Sequence, residues 1–204
     1  MVYLCIIILG YLLGSFPVAY WVTRLTTGRD LRRIGTGNVG VMATFLHAGP
    51  RRGLLVMLLE GAKGFGAVLM AQQLVGDERA SALALLAVVI GTNWSFWLGG
   101  AGSRGNTAFG GGLVLISWTS LLAILVANLL VRWITGSMFI ATRVRILAQP
   151  VIIAALTGSL IYGAMALAVS AIFWSKHRPE TDDHIQFRKR WHRRLRALLK
   201  WVRR

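Results

Sequence analysis

Residues 28–40, reading GRDLRRIGTGNVG, alternate Gly35, Gly37 and Gly40 with hydroxyl, amide and guanidinium side chains. Glycine lets a backbone turn tightly, so its N–H groups and the side chains of Thr36 and Asn38 can converge on one anion, while Asp30 and Arg32 bring charge to the same stretch. A second segment of this kind, residues 99–112, reads GGAGSRGNTAFGGG; seven of its fourteen residues are glycine, and Arg104, its only charge, stands among Ser103, Asn106 and Thr107. Such dense glycine fits either a flexible linker or a close backbone approach, and the polar groups around Arg104 favour the approach. The chemistry these residue types suit is phosphate handling, with backbone N–H groups and side chains converging on the anion. The competing reading of residues 28–40 is a solvated basic loop whose glycines only make turns.

Glu60 and Lys63 stand three residues apart inside the otherwise apolar stretch 54–72. An ionisable group in a membrane span is costly unless paired or facing water, and helical spacing puts these two on one face. Lys63 is thereby a candidate to charge a phosphate site, and a structural ion pair with Glu60 is the alternative. Thr92 and Asn93 fall near the end of the next apolar stretch, and His177 opens the basic tail, where a solvated interfacial histidine is the plainer role. Histidines are sparse and scattered, so no metal and no cofactor is predicted. Cys5 is the single cysteine and lies in an apolar run, which rules out an intrachain disulfide and a cysteine metal cluster.

The elements that must position these groups are apolar helices. With 204 residues, 55% hydrophobic content and a mean hydropathy of +0.61, the chain is too apolar for a soluble domain of its size and reads as an all-α integral membrane protein, one membrane domain over residues 1–204. The net charge of +16 lies between or after the apolar runs, which points to anionic membrane lipids and a phosphorylated substrate as partners and away from nucleic acid. Residues 1–23, 54–72, 80–98 and 113–131 are each long enough to cross roughly 30 Å of hydrocarbon. The first lacks the basic start of a signal peptide and reads as a retained span. Its GSFP at 14–17 interrupts the helix, which is tolerable where other helices or a polar cavity cover the break.

Residues 24–53 carry Arg24, Arg29, Arg32, Arg33, Arg51 and Arg52 against Asp30 alone, so the positive-inside rule puts this loop in the cytoplasm and the N-terminus outside. Residues 146–175 hold no charge, with natural break points at Gln149-Pro150 and Thr157-Gly158-Ser159. A polytopic bundle of five transmembrane helices, one long and tilted, or of seven, some short and broken, fits equally, and both put the C-terminus inside. Were every charge-free run one simple crossing, Arg132, Arg143 and Arg145 would lie outside, against the positive-inside rule. From residue 176 onward there are eleven Lys and Arg residues, with Phe187, Trp191, Leu195, Leu198 and Val202 at helical spacing, which predicts an amphipathic helix over about 185–204 on the inner leaflet. The polar motifs then fall at one face, where a single pocket can gather them.

The order of the motifs carries a resemblance. Gly14-Ser15 with Pro17, Gly28-x-Asp30-x-Arg32, Gly35-Thr36-Gly37-Asn38-x-Gly40, Lys63-Gly64 and Gly102-Ser103-Arg104-Gly105 together resemble the bacterial acyl-phosphate:glycerol-3-phosphate acyltransferase family, PlsY, over most of the chain. The resemblance implies an enzyme of the bacterial inner membrane, with its active site toward the cytoplasm, that works without a metal. It would move a fatty acyl group from acyl phosphate to the 1-hydroxyl of glycerol 3-phosphate, giving lysophosphatidic acid for phospholipid synthesis. Carried onto this chain, Thr36, Asn38, Lys63 and Arg104 take catalytic positions, and Asp30, Arg32, Gly35, Gly37, Gly40, Ser103 and His177 take substrate-binding ones.

The departures from the family pattern fall on functional positions. Thr36 stands for a serine, Glu60 for an aspartate, Thr92 for the His of a Gly-His pair and Arg104 for a lysine. Ala43 and Leu46 occupy the positions of a family Asn and Arg, with His47, Arg51 and Arg52 as the neighbours that could replace the missing cation. The family's final Arg-His and Asp-Asn-Ile are echoed by Lys176-His177 and Asp183-His184-Ile185. Two other readings stay open: a catalytically altered or inactive paralogue that binds lipid or a partner, and a small transporter. Against the transporter stand the lack of an inverted repeat and the gathering of polar motifs at one face.

Overall fold

A computed structural model describes residues 1–178; the tail helix predicted over 185–204 and the Asp183-His184-Ile185 echo lie outside the described residues. The described chain is helical throughout, with α1 (Val2–Ser15), α2 (Val18–Thr27), α3 (Val41–Ala48), α4 (Pro50–Leu74), α5 (Glu78–Asn93), α6 (Asn106–Thr135), α7 (Met138–Thr157) and α8 (Leu160–Lys176). Five stretches are long and apolar enough to cross a membrane: Val2–Thr27, Pro50–Leu74, Glu78–Leu98, Asn106–Thr135 and Met138–Thr157. Apolar side chains such as Leu4, Ile8, Leu58, Leu122, Leu129 and Val151 face outward, as a bundle solvated by lipid requires.

Residues 1–23 were expected to form one span broken at GSFP, and α1 and α2 meet there. Pro17 brings no N–H, and Phe16 leaves the helix with an extended ψ of 118°, which strands the carbonyls at the end of α1. Neighbouring elements satisfy them. Lys63 Nζ donates to the carbonyls of Gly14 (3.2 Å) and Phe16 (2.8 Å), Thr92 Oγ1 donates to Gly14 (3.3 Å), and Ser95 Oγ donates to Ser15 (2.5 Å). The broken helix is thus capped from α4, α5 and the segment after α5.

Glycine brings the central helices together backbone to backbone. A Cβ at Gly14 would overlap the Val88 carbonyl and one at Gly91 the Tyr11 carbonyl, so α1 and α5 pack at the closest spacing; Gly64 against Ala108 and Gly111 against Gly61 do the same for α4 and α6. Small residues at such contacts maximise dispersion where lipid offers no hydrophobic drive. The apolar core lies between α5, α6, α7 and α8, where the rings of Phe109 and Phe173 meet edge to face at 5.8 Å.

The fourth span does not cross as a straight helix. Ser117 has non-helical dihedrals (φ −164°, ψ 92°) inside α6. In a straight helix Asn106 and Asn128 would be about 33 Å apart, yet they line one cavity, and Leu121 Cδ1 lies 3.7 Å from where a Cβ on Gly110 would stand. Residues 106–116 and 118–135 are therefore two arms folded back on each other. Ser117 caps the second arm, its Oγ accepting from Ser120 N–H at 3.2 Å. Further on, Pro150 is accommodated inside α7, whereas the expected break at residues 157–159 is real, with Gly158 at φ 66° and Ser159 Oγ accepting from the Tyr162 N–H of α8.

This reversal sets the ends of the bundle. At one end the Tyr3 hydroxyl donates to Asp77 (2.5 Å) and Ser159 donates to Glu78 (2.6 Å). At the other, Arg145 of α7 reaches Asn106 at the start of α6, and Lys176 of α8 lies over the Trp94 ring. The described residues make seven helical passes, counting the α1–α2 pair and each arm of α6, and Arg132, Arg143 and Arg145 share the end that carries the loop of residues 28–40. Among the described residues every Arg and Lys except Lys63 and Arg79 lies at that end, which removes the conflict that straight crossings had with the positive-inside rule.

Candidate active site

Both glycine segments are tight loops at the basic end, and they touch. Gly35 and Gly37 have φ of 63° and 74°, values a side chain resists, which bends the loop so that the Asn38 N–H donates to Thr36 Oγ1 at 3.3 Å. The Val39 N–H donates to the Gly102 carbonyl (3.4 Å), and Gly40 lies against Ser103. Thr92 and Asn93 hold the second loop: the Thr92 carbonyl accepts from the Ser103 N–H (2.9 Å), and Asn93 Nδ2 donates to the Arg104 carbonyl (3.1 Å).

Each loop runs straight into a helix, Gly40 into α3 and Gly105 into α6. First-turn amides have no partner inside their helix and carry the positive end of its dipole. The first turns of α3 (Val41, Met42) and α6 (Asn106, Thr107, Ala108) line one cavity of about 200 Å³ together with Asn38, Ser103 and Arg104. Two helix N-termini, an amide and a guanidinium around one cavity make an anion cradle. A second cavity, about 230 Å³, is walled by Thr36, Asn38, Ser103, Arg104 and Lys176, and a third, about 370 Å³, extends from Arg104 between the arms of α6 toward Arg145. Arg104 borders all three. Among the described residues no group of three His, Cys, Asp or Glu side chains could hold a metal ion.

Glu60 also lines the first cavity, and a bare carboxylate there would repel an anion. Lys63 neutralises it: the pair is 2.8 Å apart with both side chains 6% exposed. The ammonium is bound to Glu60 and to the Gly14 and Phe16 carbonyls, and Lys63 is not among the residues lining the cavities that Arg104 borders.

Asp30 and Arg32 do not line these cavities either. They pair with each other at 2.8 Å, and Arg32 lies over the Tyr20 ring at 5.2 Å. The hydrogen bond from Arg32 holds the Asp30 carboxyl down to about 2, and the pair fixes the short turn Leu31–Arg33 that leads into Gly35. His177, carried over as substrate-binding with a solvated interfacial histidine as the plainer reading, is not solvated: it is 2% exposed and stacks on Phe139 at 4.6 Å. Its neighbour Lys176 is the side chain that enters the loop cluster, a role the paired Lys176-His177 motif left undivided. Ala43 is buried among Ala19, Leu31 and Val56, and Leu46 is half-buried on α3. Of the neighbours proposed to replace the cation missing at Leu46, His47 sits over Gly35 and Arg52 donates to the Ala48 carbonyl (2.8 Å); none of them lines the three cavities. Besides Arg104 and Lys176, Arg145 of α7 lines one of these cavities, the third, although it is far from the glycine motifs in sequence.

A family model described as glycerol-3-phosphate acyltransferase matches residues 4–186. Among curated relatives, glycerol-3-phosphate acyltransferase 1 of Dehalococcoides mccartyi is 44% identical over 112 residues, a match spanning 54% of each chain. The glycerol-3-phosphate acyltransferase of Synechococcus sp. (strain CC9902) is 33% identical over 180 residues, covering 88% of this chain and 90% of its own. The fold is similar to the crystal structure of PlsY (YgiH), an integral membrane glycerol 3-phosphate acyltransferase in its glycerol 3-phosphate form, with a TM-score of 0.79 at 24% identity, covering 97% of this chain and 94% of that one. The family model spanning residues 4–186, with a relative 33% identical over 88% of this chain, makes the chain a member of the glycerol-3-phosphate acyltransferase family.

Proposed function

We propose that this protein transfers a fatty acyl group from acyl phosphate to glycerol 3-phosphate, producing lysophosphatidic acid and inorganic phosphate at the cytoplasmic face of the bacterial inner membrane. The observation that carries the reading is the cradle in which the first turns of α3 and α6 meet Asn38 and Arg104 at the basic end of a membrane bundle. It suits two phosphate-bearing substrates, one soluble and one amphiphilic, meeting at a bilayer surface. The positive-inside rule supports placing this end in the cytoplasm, and its charge attracts both anions.

Acyl phosphate is already activated, so the protein's work is binding, orientation and charge stabilisation. The oxygen of the acceptor's 1-hydroxyl bonds to the acyl carbon, the bond from that carbon to the phosphate oxygen breaks, and the hydroxyl proton leaves with the phosphate. In this reading Arg104 and Asn38 hold phosphate and the charge developing on the carbonyl oxygen, while Thr36 and Ser103 shape the two loops and offer hydroxyls. Gly35, Gly37 and Gly40 let the first loop fold against the second. Lys63 keeps Glu60 from repelling the anion, the Asp30–Arg32 pair sets the loop's approach, and His177 braces α8 against α7.

The test is phosphate release by the purified, reconstituted protein given acyl phosphate, with and without glycerol 3-phosphate, alongside detection of lysophosphatidic acid. Acceptor-dependent release with that product is the expected result. No release from folded protein would favour a paralogue that has lost catalysis.

A further inference from the structure

Arg145 lies within an apolar span and has no counterpart among the motifs that identify the family here. Its Nη1 donates to Gln149 Oε1 and its Nη2 to Asn106 Oδ1, both at 3.0 Å, and the fully buried Gln149 passes the network on to Ser170 Oγ at 2.8 Å. Among the described residues no carboxylate pairs with Arg145. A guanidinium held inside a bundle without an acid is costly, and such groups in membrane proteins mark ligand paths.

Arg145 and Arg104 border the same cavity of about 370 Å³, enclosed by the arms of α6 and by α7. Its wall changes along its length: Arg104, Arg145 and Asn106 at the loop end, then Leu113, Leu121 and Ile124 deeper in the bundle. Two guanidinium groups at the mouth of an apolar slot are complementary to a phosphate head carrying a hydrocarbon chain. The reversal at Ser117 creates the slot, and Gln149 fixes the Arg145 fork in place before any ligand arrives.

We propose that Arg145 binds the phosphate of the acyl donor, a long-chain acyl phosphate whose chain runs between the two arms of α6. Arg145 thereby supplies, from α7, the cation that this chain lacks at Leu46 on α3. The assignment rests on the acyltransferase reading.

The experiment uses the reconstituted full-length protein with Arg145→Gln, Arg145→Lys and Leu121→Trp, each checked for wild-type thermal unfolding, and hexadecyl phosphate as an unreactive probe. Arg145→Gln is expected to raise the KM for palmitoyl phosphate at least about tenfold and weaken hexadecyl phosphate binding to match, while the KM for glycerol 3-phosphate stays within about twofold. Arg145→Lys should recover part of the loss, because it keeps the charge without the fork. Leu121→Trp should shift preference toward shorter acyl phosphates. Unchanged donor KM and probe affinity in folded Arg145→Gln, or an equal loss for the acceptor, would overturn the assignment. If wild-type protein transfers no acyl group to glycerol 3-phosphate, probe binding still decides: binding that needs Arg145 upholds the anionic-lipid site and removes the acceptor reading, and binding that ignores Arg145 overturns the site. A bilayer phospholipid that copurifies in the slot and resists displacement by hexadecyl phosphate would also overturn the donor assignment.

Discussion

Lys63 donates to the carbonyl of Phe16 across 2.8 Å and so ties the middle of α4 to the break between α1 and α2. The same ammonium neutralises Glu60 at 2.8 Å. Lys63→Met removes both functions and leaves a buried carboxylate uncompensated, a change that costs about 3–5 kcal/mol when one member of a buried pair is lost. Lys63→Met in a Glu60→Gln background should cost clearly less than Lys63→Met alone, because the stranded charge is gone. Denaturation of the four proteins in one detergent measures the coupling, and additive losses would show that the pair does not stabilise the fold.

Two glycines of α4 separated by one residue should respond in opposite ways to alanine. Gly64 faces the Ala108 carbonyl, where a Cβ has no room, and Gly66 has nothing within 4 Å of that position. Gly64→Ala must push the first arm of α6 away, at a cost of about 1–3 kcal/mol or more, and with it the amides that line the cradle. Gly66→Ala should be neutral or slightly stabilising, since alanine is the better helix former. Equal unfolding temperatures for the two variants would contradict the close packing of α4 on α6.

Arg104 borders all three cavities, so its removal should affect turnover more than any other loop substitution. Arg104→Ala is expected to lower kcat/KM at least about tenfold, with Arg104→Lys retaining part of the activity as the charge persists without the planar fork. Thr36→Ser should be tolerated, whereas Thr36→Val loses the oxygen that accepts from the Asn38 N–H and should fall between the two. Wild-type kcat/KM in a folded Arg104→Ala protein would remove Arg104 from the site.

The Asp30 carboxyl gives a pH prediction with a definite sign. Its pKa in the fold is about 2, below its ordinary 3.8, because Arg32 bonds to the ionised form. The stabilisation it lends the loop is therefore complete above the ordinary value and is lost as pH falls through about 2. The stability difference between wild type and Asp30→Asn should be constant from neutral pH down to about pH 4 and shrink below it. A difference that changes between pH 6 and 8 would mean another group controls it.

Much of the site was readable because its parts are short and local. The positive φ values at Gly35 and Gly37, the cost of two charges at Glu60 and Lys63, and the missing N–H of Pro17 each follow from a few adjacent residues. What sequence did not divide was the role of Lys63, since spacing alone cannot tell whether an ammonium faces an anion cavity or a broken helix. The fold at Ser117 was hidden because residues 113–131 contain no proline, and hydropathy averages over a window that one bent residue does not interrupt. Its only trace was the misplaced charge of Arg132, Arg143 and Arg145. Arg145 was missed for the same reason, because only the reversal brings α7 beside Asn106.

That trace makes the topology testable by chemistry that ignores the rest of the fold. If α6 were straight, residue 137 would lie at the opposite end from the loop of residues 28–40; with the reversal at Ser117 it lies at the same end. Single cysteines placed in a Cys5→Ser background at Arg33 and Ser137 on one side, and at Arg79 and Leu160 on the other, separate the two cases. An impermeant maleimide applied to right-side-out and inverted vesicles should label Arg33→Cys and Ser137→Cys from the same side, and Arg79→Cys and Leu160→Cys from the opposite one. Labelling of Ser137→Cys together with Arg79→Cys would mean that α6 crosses straight, that Arg145 is remote from Arg104, and that the slot between the arms does not form.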